Sequence, residues 1–302
     1  MSPARLAAAL TPSGRTLVIA VPFVFLLLFF MLPFGVVVKI SFADMRLAVP
    51  PFTDLASLAG DKLRLTFSLA SYRSVLTDDL YFVAYLSSLQ VAFFTTLVCL
   101  LVGYPAAYLI ARAPASRRNL LMMAVILPFW TSYLIRVYAW IGLLKDQGLI
   151  NQLLLWSHLI DTPLPLYQTP TGLYIGMVYS YLPYMILPLY SCLLKMDTKL
   201  EEAATDLGAS PWTVFTTITL PLSKRGIAAG SLLVFIPSVG EYVIPELLGG
   251  PDSLMIGRVM WDDFFNNIAW PLASAATCVM VALLLVPMVW FQAVQNKALK
   301  AA

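Results

Sequence analysis

The sequence predicts an all-α integral membrane protein that crosses a bilayer six times, and three observations carry that prediction. Hydrophobic residues make up 60% of the 302 positions and charged residues 12%, with a mean hydropathy of +0.82. A soluble domain carries about 25% charged residues, so this chain has too few polar side chains to cover a water-facing surface. Six apolar segments, near 17–40, 82–111, 120–144, 172–194, 226–248 and 271–291, approach or exceed the ~20 residues that a helical crossing needs. Basic residues gather in alternate connections, as they do on the cytoplasmic side of a multi-pass protein.

Taken in order, the first segment follows Arg5 and Arg15. Its apolar run exceeds the ~7–15 residues of a signal h-region and no clear A-x-A site follows, so it is expected to be a retained span. Arg112, Arg117 and Arg118 fill the short connection after span two. Lys195, Lys199, Lys224 and Arg225 flank the loop 195–225, and Lys297 and Lys300 lie in the tail. Six crossings place all four regions on one side, so both termini are expected in the cytoplasm. The opposite loops hold Arg46, Lys62, Arg64 and Arg73 in the long stretch 41–81, then Lys145 and Arg258. In that stretch Asp44, Asp54, Asp61, Asp78 and Asp79 offset the charge. These outer loops are rich in turn formers such as Pro50-Pro51, Pro163, Pro165 and Pro170. The chain is expected to form one transmembrane domain over 1–302. A net charge of +3 suggests no nucleic-acid partner, and Cys99, Cys192 and Cys278 lie in apolar runs with no disulfide framework.

The loop between spans four and five is unlike the rest. Thr198 and Glu201 have the T-x-x-E spacing of a capping box, which predicts a helix start. Gly208 can end that helix in a left-handed C′ conformation. Ser210 and Pro211 then suit the N-cap and first position of a second helix. Trp212, Phe215 and Ile218 give it an apolar stripe, and Pro221 is expected to end it. The product is a pair of short helices with an elbow at Gly208, presenting Ala203 and Ala204 to a close partner. Local physics alone leaves two readings open: an amphipathic loop resting on headgroups, or a protein-docking elbow.

Glu202-Ala203-Ala204, Gly208 after three intervening residues, and Ile218-x-Leu220-Pro221 after nine more resemble the EAA motif of permeases in binding-protein-dependent ABC importers. The segments LPFWTSYLIRVYAW (127–140) and VGEYVIPELLGGPD (239–252), running on to IGRV (256–259), resemble the polyamine-importer members, the putrescine type first and the spermidine-preferring type next. The resemblance implies a six-span type I (MetI-like) permease that pairs with a second homologous permease chain. It also implies two cytoplasmic ATPase subunits, a periplasmic polyamine-binding protein and a bacterial inner-membrane location. The coupling contacts it implies are Glu201, Glu202, Ala203, Ala204, Asp206, Gly208, Pro211, Ile218, Leu220 and Pro221. No G-x-x-x-x-G-K-[ST] segment occurs, so no cofactor is expected in this chain, and ATP and Mg would bind the partner ATPase.

Arg136 and Glu241 lie deep in spans three and five. In straight helices both would sit ~22–24 Å above the span starts, at ~1.5 Å per residue, so they are candidates for an intramembrane ion pair. Alternatively Glu241 lines a path and meets a cargo ammonium group, with cation-binding aromatic faces around it. Candidate path residues are Trp130, Tyr133, Tyr138, Tyr179, Tyr184 and Tyr242, with packing or interface-belt roles as the alternative, and Asp262 and Asp263 in the last outer loop, with an ordinary solvated loop face as theirs. Pro183 and Pro188 are expected to interrupt span four, and Pro237, Gly240 and Pro245 span five. Gly172-x-x-x-Gly176 and Gly226-x-x-x-Gly230 allow close helix contact, within the chain or in a dimer. An ATPase-independent channel or sensor scaffold is the rival class. An enzyme is disfavoured, since the single His158 has no metal-spaced companions.

Overall fold

A computed structural model describes residues 14–59 and 62–300. Arg5 and Asp61, used above for topology, lie outside the described residues. The helices in chain order are α1 (Gly14–Leu26), α2 (Leu32–Ser41), α3 (Ala70–Thr77), α4 (Asp79–Arg112), α5 (Ala115–Ile126), α6 (Tyr133–Leu144) and α7 (Leu149–Trp156). They continue as α8 (Pro170–Leu194), α9 (Lys199–Asp206), α10 (Pro211–Val214), α11 (Leu220–Val239), α12 (Val243–Leu248), α13 (Ile256–Trp261) and α14 (Trp270–Lys300). Among the described residues five helices are long and apolar enough to cross a bilayer, or six if the bent pair 115–130 and 133–156 counts as one span. The fold is all-helical apart from a small antiparallel hairpin, β1 (Ala56–Ala59) with β2 (Lys62–Leu65).

The described residues cluster into two compact units, those up to 77 with 263–280 and those from 78 to 262 with 281 onward. In the first, α1 and α2 join through a π turn, Leu27–Met31, into an apolar run whose hydropathy is 2.7 over its best window. The turn precedes Pro33, which falls in the first turn of α2. Proline offers no N–H and clashes with the carbonyl four residues back, and a widened turn relieves both problems. The outer stretch is ordered by aromatic contacts. Phe42 lies edge-on to Phe67 and tilts against Tyr72 at 5.2 Å, and the Ser41 and Tyr72 hydroxyls are 2.8 Å apart.

The second unit is built on α4, α8 and α11, which pack against one another pairwise. Their shared core contains Cys99 and Ala107 of α4, Met177, Met185 and Leu189 of α8, and Val234 of α11. Asp78 accepts the Leu80 N–H (2.9 Å) and starts α4, which runs unbroken to Arg112. The two G-x-x-x-G pairs prove to be intrachain packing sites. A Cβ on Gly226 or Gly230 would lie 2.7 Å from Cys192 Cβ or Met185 Sδ of α8, and one on Gly176 would lie 2.6 Å from Leu248 Cδ1 of α12. Gly226→Leu is therefore expected to cost about 1–3 kcal/mol through overpacking, seen as a lower melting temperature of the detergent-solubilised protein. Gly35→Leu, with nothing within 4 Å of its Cβ position, should leave that temperature unchanged.

Three expectations are corrected. Span three is not a straight helix over 120–144: α5 passes into a 3-10 turn, Leu127–Trp130, and α6 leaves at 94°. Pro128 lacks the donor that would continue α5, and Thr131 is extended (φ −88°, ψ 153°). Span four is not interrupted, because α8 continues through Pro183 and Pro188 while packed on both α4 and α11. Span five breaks at Gly240–Tyr242, between α11 and α12, whereas Pro237 and Pro245 lie inside helices.

Candidate coupling elbow and carboxylate site

The elbow begins differently from the expected capping box. Thr198 makes no side-chain cap; the Asp197 carboxylate accepts the Lys199 N–H instead (3.0 Å). Glu201 is thereby free for another partner. Its Oε1 lies 2.7 Å from Arg112 Nη2, an ion pair whose N–H is not aligned for a hydrogen bond, and accepts the Thr219 hydroxyl at 2.7 Å. Helix α9 ends in a Schellman arrangement: Gly208 N–H donates to Thr205 O (2.9 Å), Ala209 N–H donates to Ala204 O (3.0 Å), and Gly208 has φ +85°. Ser210 Oγ accepts the Thr213 N–H (3.2 Å), with Pro211 at the first position of α10.

Pro221 does not end this helix, which is a further correction. A π turn, Phe215–Thr219, carries the chain into α11, and this widened turn accommodates Pro221, which lacks an N–H and would otherwise clash with the carbonyl four residues back. Residues Pro211–Val239 are thus one helical run. Phe215 packs edge-on to Tyr104 of α4 at 5.6 Å, whereas Trp212 is 72% exposed. Glu202, Ala203, Asp206, Pro211 and Pro221 are exposed, and Ala204, Ile218 and Leu220 are half-buried. Tyr108, Glu201, Glu202, Asp206 and Phe215 are among the residues lining an open cleft of about 400 Å³.

At the break in span five, Glu241 binds three elements. Tyr133 of α6 donates to Oε1 (2.9 Å), Tyr181 of α8 donates to Oε2 (2.5 Å), and the Val243 N–H at the start of α12 donates to Oε1 (3.0 Å). The expected Arg136–Glu241 ion pair is not formed. The bend in span three redirects α6, and the Arg136 guanidinium stacks over Phe129 (4.7 Å) and Tyr133 (5.7 Å), while Nε and Nη1 have no hydrogen-bond partner. Among the described residues, Arg112 pairs with Glu201 and Arg258 with Glu246 (2.8 Å).

The candidate path residues separate accordingly. Tyr133 contacts Glu241, and Tyr184 lies next to Tyr181 (ring centroids 6.0 Å). Tyr179 packs on Trp140 instead (5.2 Å), and Trp130 and Tyr138 are exposed at 80% and 59%. Tyr242 stacks on Trp261 at 4.3 Å, with Asp262 the next residue along, and Asp263 belongs to the other unit. Sequence reasoning treated Arg112 only as a topology signal and gave Thr219 no role. Tyr181 was not among the candidate path residues.

Residues 100–301 match the family model described as binding-protein-dependent transport system inner membrane component. The chain is 43% identical over 228 residues to the spermidine/putrescine transport system permease protein PotB of Escherichia coli (strain K12), covering 74% of this chain and 82% of that protein. It is 39% identical to the protein of the same description from Haemophilus influenzae, covering 70% and 74%. The inner membrane ABC transporter permease protein YdcU of Escherichia coli (strain K12) is 30% identical, covering 81% and 77%. Among solved structures, a bacterial ABC transporter involved in the import of the acidic polysaccharide alginate superposes with a TM-score of 0.70 at 16% identity, covering 97% of this chain and 99% of that one. That likeness extends to the fold alone. With two thirds of its residues matched by that model and 43% identity to a relative over 74% of its length, this chain belongs to the family of binding-protein-dependent transport system inner membrane components.

Proposed function

We propose that the chain is the permease subunit of an ATP-driven polyamine importer, with putrescine as its cargo. Both termini lie in the cytoplasm, a second permease chain completes the path, and a periplasmic polyamine-binding protein delivers the substrate. Two ATPase subunits dock on the elbow and carry the ATP and Mg, and closure of that pair pushes Glu202–Pro221 and opens the path outward. The observation that carries this reading is the elbow, which exposes Glu202, Ala203 and Asp206 beside a helix running unbroken into span five. The cargo class is supported by the spermidine/putrescine descriptions of the relatives and by Glu241, a carboxylate flanked by Tyr133 and Tyr181 at the break in span five.

The test is radiolabelled putrescine uptake in vesicles holding the assembled complex, with unlabelled diamines and spermidine as competitors. Putrescine should compete at lower concentration than spermidine. The reverse order would make spermidine the cargo, an order the relatives' shared description also accommodates. A chain that purifies without a nucleotide-binding subunit and conducts ions without ATP would be a channel, and the proposal would fail.

A further inference from the structure

We infer that Arg112 and Glu201 form an intrachain latch that binds the elbow to the end of α4, so that span two as well as span five receives motion from below. The inference rests on the function proposed above and adds a residue, Arg112, that the elbow motif does not contain.

The geometry is that of a built contact. Arg112 Nη2 and Glu201 Oε1 are 2.7 Å apart, and the side chains are only 21% and 15% exposed. The buried Thr219 hydroxyl donates to the same oxygen, and the Arg112 guanidinium lies 5.4 Å from the centre of the Tyr108 ring. The Arg112 N–H is not aligned for a hydrogen bond, so the attraction is Coulombic, and partial burial strengthens it relative to a pair in open water. Each charge also suits its helix. Arg112 is the last residue of α4, where the negative end of the dipole favours a cation, and Glu201 is in the first turn of α9, where the positive end favours an anion.

What the latch holds is otherwise loosely attached. Helix α9 packs on α10 and on the π turn that follows it, and its connection to them passes through Gly208, with φ +85° and open space around it. A push on α9 without the latch would swing it about that glycine. With the latch, the same push is carried into α4. The neighbouring carboxylates therefore divide the work. Successive helical residues point about 100° apart; Glu201 faces its own chain, while Glu202 is exposed to a partner.

Uptake and binding-protein-stimulated ATP hydrolysis in the assembled complex test this, with copurified ATPase as the measure of assembly. Arg112→Gln is expected to assemble and hydrolyse ATP while uptake falls about tenfold relative to hydrolysis. Thr219→Val, which removes one hydrogen bond, should lower that ratio about twofold. Arg112→Glu combined with Glu201→Arg should restore uptake to at least a third of wild type. Rescue is partial because both swapped charges oppose their helix dipoles. Wild-type coupling by Arg112→Gln, or a double variant as defective as the singles, overturns the latch. So does loss of the ATPase subunits from Arg112→Gln, since the arginine would then belong to the docking surface. If the wild-type complex itself shows no ATP-driven uptake, the proposed function fails. The latch is then read from melting temperatures alone, where both single changes should lower the midpoint by several degrees and the swap should recover most of the loss; equal losses in the swap would sink it.

Discussion

Glu241→Leu is expected to give the largest loss of stability among the polar changes in the chain. The leucine leaves the Tyr133 and Tyr181 hydroxyls without their acceptor and removes the cap on Val243. An orphaned buried donor costs about 1–3 kcal/mol and a lost helix cap about 1 kcal/mol, so two donors and one cap together come to about 3–7 kcal/mol. Thermal melting of the purified complex measures it. Glu241→Gln keeps an acceptor oxygen and should melt close to wild type, while uptake falls at least tenfold because the charge facing an ammonium cargo is gone. Wild-type uptake by the glutamine variant would reduce Glu241 to a strut and remove it from the path.

Gly208→Val should abolish transport by a different route. At φ +85° a β-branched residue is strained, at roughly 1–2 kcal/mol for the left-handed conformation, and nothing lies within 4 Å to crowd its Cβ. The cost is thus conformational, and the elbow relieves it by opening the Schellman bonds at Gly208 and Ala209. Uptake is expected to fall at least tenfold with the transmembrane helices intact by circular dichroism. Gly208→Asn should keep a substantial fraction of activity, since asparagine tolerates the left-handed region better. Normal uptake by the valine variant would show that the bend angle between α9 and α10 is irrelevant to transport.

What was legible in the sequence was local. Gly208, Ser210 and Pro211 act over three or four residues, and the elbow they announce is the elbow observed. The spans were visible because an apolar run of sufficient length has few alternatives. The misses share a cause. An apolar run hides its own irregularities, so the bend after Leu127–Trp130 and the π turn before Pro221 left no mark in hydropathy. Once α6 was redirected, the depth argument for Arg136 and Glu241 no longer held. The side chain of Glu201 meets Arg112 and Thr219, both far away in sequence, instead of the backbone beside it, through charge attraction to one and a hydrogen bond from the other. No spacing rule contains that information.

The unbroken course of residues 211–239 has a mechanical consequence. Its 29 residues make a lever roughly 43 Å long at ~1.5 Å per residue. Tilting it by ~10° about its middle carries each tip ~4 Å in opposite senses, by that same length. At one tip stands Trp212, open to whatever presses on it; beyond the other begins the gap bridged by Glu241. A displacement of that size exceeds the reach of a hydrogen bond, so one stroke at the near tip is enough to unfasten the tyrosines at the far one.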